Sequence, residues 1–265
     1  MKQIATAMMV LVAGSAFAGD LKTYYDFRGN LNPVLNVTGL AQALDFRTGS
    51  GGSSSSAGSV NYTNELVGSV NKQVANFAAP QFFRAVHGIG ANGGGDYLNR
   101  YSILMDVKVT STGWASFFNT AANVSNDGDA FVNPDNAMGI SGDYAGTFAR
   151  NVWNRVIISV DSIAPIMSIY LNGAFVNDIT LDGVDGRWSL YTLDDNDPDA
   201  DWVDIFADED GDNASGQISA LAFFDGALTA NEAASFGTAG APVPEPATLA
   251  ALGLGAAALL KRRKK

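Results

Sequence analysis

The residues best suited to chemistry in this chain are carboxylates, and they are crowded. Thirteen acidic residues and one basic residue, Arg187, lie between Asp178 and Asp212. Two acidic runs, Asp194-Asp195-Asn196-Asp197-Pro198-Asp199-Ala200-Asp201 and Asp208-Glu209-Asp210-Gly211-Asp212, flank the apolar stretch Trp202–Ala207. Carboxylates packed this way repel one another unless water, salt or a divalent cation screens them. Short acidic side chains in turns that contain Gly and Asn offer hard oxygen ligands of the kind Ca²⁺ takes. Asp208, Asp210 and Asp212 form one expected ligand set for a structural Ca²⁺. Asp127, Asp129 and Asn133, from Asn126-Asp127-Gly128-Asp129-Ala130-Phe131-Val132-Asn133, form the other. The EF-hand template does not describe the loop from Asp208. Counted from Asp208, position 6 is Asn213 where glycine is needed, and position 12 is Ser219 where glutamate is needed. The competing expectation is a solvated acidic edge that keeps the sheets of neighbouring molecules apart.

Other residue types narrow the chemistry further. The absence of cysteine excludes disulfides, zinc thiolates, iron–sulfur clusters and thiol nucleophiles. A single histidine, His87, excludes a His-pair metal site, and no G-x-S-x-G elbow supplies a serine for it to activate. A structural or loop role is expected for it. Gly88-Ile89-Gly90-Ala91-Asn92-Gly93 fits the G-x-G-x-x-G spacing. Gly94-Gly95-Asp96 follows, where a helix N-terminus would have to hold a pyrophosphate, so a glycine-rich turn is expected. Glycoside hydrolysis needs two carboxyls of different pKa roughly 5 to 9 Å apart. The body holds only Glu65, Glu209 and Glu232 as glutamates, far apart in sequence. A non-enzymatic protein is expected, with polysaccharide cleavage by paired aspartates as the alternative. Of Trp114, Trp153, Trp188 and Trp202, the expected sugar-stacking residues are Trp188 and Trp202, core packing being the competing use of an indole. A formal charge of −11 argues against a nucleic-acid partner.

Both ends read as processing signals. Lys2, the apolar stretch Ile4 to Val12 and Ala16-Phe17-Ala18 make a signal peptide over residues 1–18, cut between Ala18 and Gly19. At the other end, Val243-Pro244-Glu245-Pro246-Ala247-Thr248 leads into an apolar run ending at Leu260 and then Lys261-Arg262-Arg263-Lys264-Lys265. As a helix, residues 247–260 span about 21 Å, short of the roughly 30 Å hydrocarbon core. The run holds in a membrane only with its basic tail snorkelling to the cytoplasmic side. Motif (Pro244, Glu245, Pro246), apolar helix and basic tail together resemble the PEP-CTERM sorting signal of Gram-negative bacteria. The resemblance implies recognition by an exosortase, a membrane cysteine protease, after transient inner-membrane anchoring. It further implies delivery to the cell surface or the extracellular matrix, in bacteria that make exopolysaccharide and biofilm. Without Lys2, the five basic tail residues and Glu245, ten basic and 26 acidic residues remain, a formal charge of −16.

The elements that must position the acidic residues are strands. Strand-like runs recur at 22–27, 101–110, 114–118, 152–160, 166–171, 202–207 and 217–224. Asn172-Gly173 between two apolar runs is a hairpin signal, because both residues accept positive φ. Thr229-Ala230-Asn231-Glu232 is a capping box for one short helix, with Gly237 at its stop. The Gly/Ser-rich stretch 49–59 is expected as a flexible surface loop inside one domain, residues 19–241. Trp153-Asn154-Arg155-Val156-Ile157-Ile158-Ser159-Val160-Asp161 followed by Ser168-Ile169-Tyr170-Leu171-Asn172-Gly173 resembles the core hairpin of laminin G-like domains. Ala222-Phe223-Phe224-Asp225-Gly226-Ala227-Leu228-Thr229 is similar to their closing strand and helix. The resemblance implies an all-β, two-sheet antiparallel jelly-roll sandwich of the concanavalin A-like type, with one short C-terminal helix. A separate membrane-type helix belongs to the sorting signal. The resemblance also implies a Ca²⁺ at the sandwich rim, and the Glu-x-Asp-x-Glu triplet of glycosidases on this fold is absent. The expected function is binding of glycan, such as exopolysaccharide, or of a surface protein. A glycosidase and an inert matrix module are the alternatives.

Overall fold

A computed structural model describes residues 19–50, 53–120, 127–192 and 202–243. The signal peptide up to Ala18, the acidic run 194–201, and Pro244-Glu245-Pro246 with the apolar run and basic tail lie outside the described residues. In chain order the strands are β1 (Asp20–Tyr25), β2 (Leu35–Asn36), β3 (Asp45–Ser50), β4 (Ser53–Ser56), β5 (Asn61–Val67) and β6 (Val70–Phe77). Then come β7 (Gln81–Ala85), β8 (Arg100–Val109), β9 (Ala115–Asn119), β10 (Asp129–Val132), β11 (Met138–Ile140) and β12 (Asp143–Ala145). Last are β13 (Asn154–Asp161), β14 (Ile166–Leu171), β15 (Ala174–Thr180), β16 (Val203–Ile205), β17 (Gly216–Asp225) and the helix α1 (Ala230–Phe236).

Two antiparallel sheets face each other in a jelly-roll sandwich. One runs β15-β14-β13-β8-β17-β1-β2, with the hairpin β5–β6 joined to it where β6 pairs with the start of β17. The other runs β12-β11-β10-β9-β16-β7-β3-β4. Between them lies the main core, to which β8 contributes Ile103, Met105, Val107 and Val109 at the period of two that a strand dictates. Leu104 points to the opposite face, where Ile157, Ala222 and Phe224 meet Ala233 and Phe236 of α1. The central strands are therefore covered on both sides, which is why they read as nearly unbroken apolar runs.

Local chemistry sets the ends of these elements. Asn172 and Gly173 turn the β14–β15 hairpin with φ of 52° and 81°. Thr229 caps α1 through its side chain and the Glu232 backbone N–H, while the Glu232 carboxylate accepts from the Thr229 N–H. The Gly/Ser-rich stretch departs from expectation: Ser53–Ser56 pairs with Arg47–Ser50 as an edge strand. Arg47 Nε donates to Ser54 Oγ and Nη2 to Ser54 O, each at 2.9 Å. An edge strand needs backbone partners more than bulk, so serines serve where a central position would demand apolar residues.

A buried ion pair pins the end of the body. Arg155, fully buried, donates to both carboxylate oxygens of Asp106 at 2.7 and 2.8 Å, and also to the carbonyls of Phe236 and Ala241. The Gly240 N–H donates to Asp106 Oδ2 at 2.9 Å. The segment after α1 is thereby held on the outer face of the first sheet. Among the described residues no helix is long and apolar enough to cross a membrane.

Candidate cation cleft

Strand order brings the two acidic segments together. β9 lies between β10 and β16, with Asn119 opposite both Asp129 and Asp204. The chain therefore leaves β16 one strand away from β10, across β9, and the segment that follows brings Glu209 to Asp127 and Asp129. The Phe206 N–H donates to Phe117 O at 3.2 Å and the Ser116 N–H to Asp212 O at 2.9 Å, which ties that segment to β9. On the other side, the Thr120 hydroxyl accepts from the Gly128 N–H and donates to Arg187 O, both at 2.7 Å. Gly128 has no room for a side chain: a Cβ there would stand 2.5 Å from Arg187 O and 2.7 Å from Trp188 Cα. The Asp-Gly-Asp order follows from that close approach.

Six carboxylates line the resulting cleft, whose volume is about 240 Å³. Asp127, Asp129 and Glu209 each bring one carboxylate oxygen within 4.8 Å of the others, and Asp208, Asp210 and Asp212 do the same. Asn119 Nδ2 bridges the two segments, donating to Asp127 Oδ2 and, at 3.3 Å, to Glu209 Oε2. Asp127, Asp129 and Asp208 are buried, with 3%, 7% and 2% of their surface exposed, while Glu209 and Asp212 are half-buried and Asp210 is exposed. Asp129 Oδ1 is buried with no hydrogen-bond partner. Arg187 is the one cationic side chain among the described residues lining the cleft, and its guanidinium lies 4.0 Å over the Trp188 ring.

The electrostatics follow from burial. Desolvation first, then the Asp127 charge, pushes Asp129 up to about 8, with Arg187 acting the other way. Asp127 rises to about 6, by burial and then by the Glu209 charge. Asp208 rises to about 9, by burial and then by its hydrogen bond with Asp210. Asp212 is raised by burial and by the Asp210 and Glu209 charges. A cleft in this state either holds protons or bears unscreened repulsion. A hard divalent cation relieves both, and six to eight oxygen ligands is the number Ca²⁺ takes.

The structure places the sequence-predicted residues unevenly. Asp127, Asp129, Asp208, Asp210 and Asp212 meet in one cleft, where the sequence presented two separate loops. Asn133 is corrected: its Oδ1 accepts from the Ala137 N–H at 2.8 Å and closes the β10–β11 turn, away from the carboxylates. Trp188 is corrected too. It is buried, its Nε1 donates to Asp129 O at 3.1 Å, and a sugar ring has no access to it. Trp202 is half-buried with the Arg84 guanidinium 4.1 Å from its ring centre, and Arg84 is held in turn by Asp204. Gly19, on the far side of the expected cleavage point, is buried against Gly226 and Leu228.

The structure adds Glu209 to the ligand set and Trp114 to the cleft wall. Glu209 stood in plain view within the acidic run, but its neighbours gave no sign that its side chain turns toward Asp127. Trp114 carries no sequence signal beyond its place just before β9. Glu65 pairs with Lys108 and Glu232 caps α1, so the three glutamates do not converge. His87 is buried; its Nδ1 accepts from the Ile89 N–H and its Nε2 lies 3.1 Å from Tyr191 O. Gly88 has a φ of 71° and a Cβ there would meet Ala41 N at 2.4 Å, so this glycine serves a tight turn.

Residues 242–265 match the PEP-CTERM protein-sorting motif. The chain ends in a PEP-CTERM sorting signal. That signal marks an exported protein and a substrate for exosortase processing. None of the curated proteins compared with the chain matches it. Among solved structures, it is similar to domain 4 of AbnA, an extracellular GH43 arabinanase from Geobacillus stearothermophilus, solved in complex with arabinotriose. The TM-score is 0.57 at 17% identity, covering 82% of this chain and 98% of that one. It is also similar to the botulinum neurotoxin type G receptor-binding domain, with TM-score 0.48, 13% identity, and 82% and 50% of the two chains covered. A third similar structure is the heptameric SAP-like pentraxin of Limulus polyphemus, with TM-score 0.38, 15% identity and coverage of 51% and 68%. At such identities the likeness to the arabinanase domain is one of fold. The described body is thus a jelly-roll β-sandwich, and the C-terminal signal marks it for export.

Proposed function

We propose that this PEP-CTERM protein is a non-catalytic glycan-binding module of the cell surface or extracellular matrix, and that its acidic cleft holds a Ca²⁺ ion. The observation that carries the cation is Asp129, a buried carboxyl with an unpartnered oxygen facing five further carboxylates. Such a group is costly unless a ligand completes it. The glycan reading is supported by the sandwich fold, which it shares with an arabinanase domain solved with arabinotriose. Ca²⁺ binding is tested by thermal melts of residues 19–243 in excess Ca²⁺ and in chelator. A ligand of the native state must raise its melting temperature, so coincident melts overturn the cation.

A second reading draws on the same carboxyls. Asp129 and Asp208 are raised toward the range in which a carboxyl serves as general acid. Against it, Asp129 has an oxygen of Asp127 and of Glu209 within 4.8 Å of one of its own, and Asp208 has the same from Asp210 and Asp212. That is tighter than the roughly 5–9.5 Å between carboxyl groups that glycoside hydrolysis uses. Incubation with the producing bacterium's exopolysaccharide and with arabino-oligosaccharides separates the readings. New reducing ends would establish the hydrolase.

A further inference from the structure

The acidic cleft has one wall of a different character. Trp114, just before β9, and Tyr144, in β12, line the same cleft as the carboxylates, together with Phe131 and Ile140. Trp114 remains 38% exposed, which is unusual for the largest apolar side chain. Its neighbours meet it edge to face. The Phe131 centroid is 6.0 Å away at 88° between ring planes, and the Tyr144 centroid is 5.5 Å away at 63°. This propping fixes the indole while leaving part of it open.

We propose that Trp114 and Tyr144 are the stacking platform for one uncharged sugar ring, whose hydroxyls meet the cation-loaded carboxylates of the same cleft. The proposal rests on the cation reading above and adds the ligand class and the residues that select it. Sugar rings present an apolar C–H face and a polar edge, and the cleft presents an aromatic wall and an oxygen-rich floor. Asp129, 93% buried with Oδ1 unpartnered, faces that space. Six carboxylates against Arg187 keep the cleft negative even with one divalent cation bound. A uronic acid or other anionic sugar is therefore repelled, and a neutral one is not. The volume, about 240 Å³, lies below the range of roughly 300–1,000 Å³ for sites that enclose drug-sized ligands. It admits a single ring, at a chain end or on a branch, and no longer stretch of polysaccharide.

The test uses residues 19–243, with immobilised arabinotriose, other neutral di- and trisaccharides, and oligogalacturonates as probes, each with Ca²⁺ and with chelator. The expected result is Ca²⁺-dependent binding of at least one neutral probe and none of the anionic ones. Trp114→Ala weakens that binding roughly tenfold or more, while its Ca²⁺-induced rise in melting temperature stays that of the wild type. Tyr144→Phe, which keeps the ring, retains the binding, and Tyr144→Ala weakens it. Three results would overturn the proposal while leaving the cation in place: Trp114→Ala binds as tightly as wild type, the oligogalacturonates bind as well as neutral sugars, or no neutral probe binds although Ca²⁺ raises the melt. A wild-type melt indifferent to Ca²⁺ overturns the cation reading, and this proposal with it.

Discussion

Replacing Asp129 with asparagine should stabilise the cation-free protein and remove its response to cation. The reasoning starts from the carboxyl itself. Its pKa is raised from 3.8 to about 8, so above pH 4 the unfolded chain loses a proton that the native protein keeps. Because the native state binds more protons than the unfolded one, its stability falls as pH rises through that window. At about 1.36 kcal/mol per pH unit, the loss reaches on the order of 5 kcal/mol by pH 8. Asparagine has no proton to lose. Its amide brings an N–H group that costs about 1–3 kcal/mol if it finds no partner. The net expectation is an Asp129→Asn variant more stable than wild type by about 2–4 kcal/mol at pH 8 in chelator, or roughly 5–15 °C in Tm. At pH 4 the advantage disappears. In Ca²⁺ at about a hundred times its Kd, wild type gains about 2.7 kcal/mol, and the variant gains much less. Thermal melts from pH 4 to 8, with Ca²⁺ and with chelator, measure all of this. An Asp129→Asn variant less stable than wild type in chelator at pH 8, or one that responds to Ca²⁺ as wild type does, would refute the reasoning.

Other perturbations address the scaffold. Arg155→Met leaves the Asp106 carboxylate buried and unpaired, and urea titration should show a loss of about 3–5 kcal/mol; the double variant with Asp106→Leu should recover most of it. Burial pushes His87 down to about 4. From pH 6.5 to 4 the unfolded imidazole takes a proton that the native one refuses, so this residue makes stability fall with acidification, by up to about 3 kcal/mol. Urea titrations of wild type and His87→Gln over that range should diverge accordingly, and parallel curves would contradict the burial argument. Gly128→Ala drives a Cβ toward Arg187 O and should cost about 1–3 kcal/mol. It should also abolish the Ca²⁺ shift by displacing the two aspartates that flank it.

Much of the scaffold is legible in one dimension. Asn172-Gly173 marks its hairpin because positive φ is a property of the two residues themselves. The Thr229–Glu232 box marks the start of α1 because both partners lie within one turn. The runs in β8, β13 and β17 announce strands but hide which residues face the core, since α1 and the segment after it cover the second face. Serines 53–56 read as a loop because the strand they form depends on Arg47–Ser50 offering an open edge.

The cleft divides in the same way. That this chain is acidic, lacks cysteine and carries a sorting signal at its C-terminus is written in residue types and local order, which need no fold to be read. Which carboxylates share a site is not local. Asp127 and Asp129 meet Glu209 and Asp208 because β9 pairs with both β10 and β16, a contact between distant parts of the chain. Trp188 and Asp129 are buried while Trp114 stays partly exposed in the same cleft, although all three are ordinary members of their sequence neighbourhoods. Accessibility and carboxylate pKa are set by what packs around a side chain, and packing is a property of the assembled sheets.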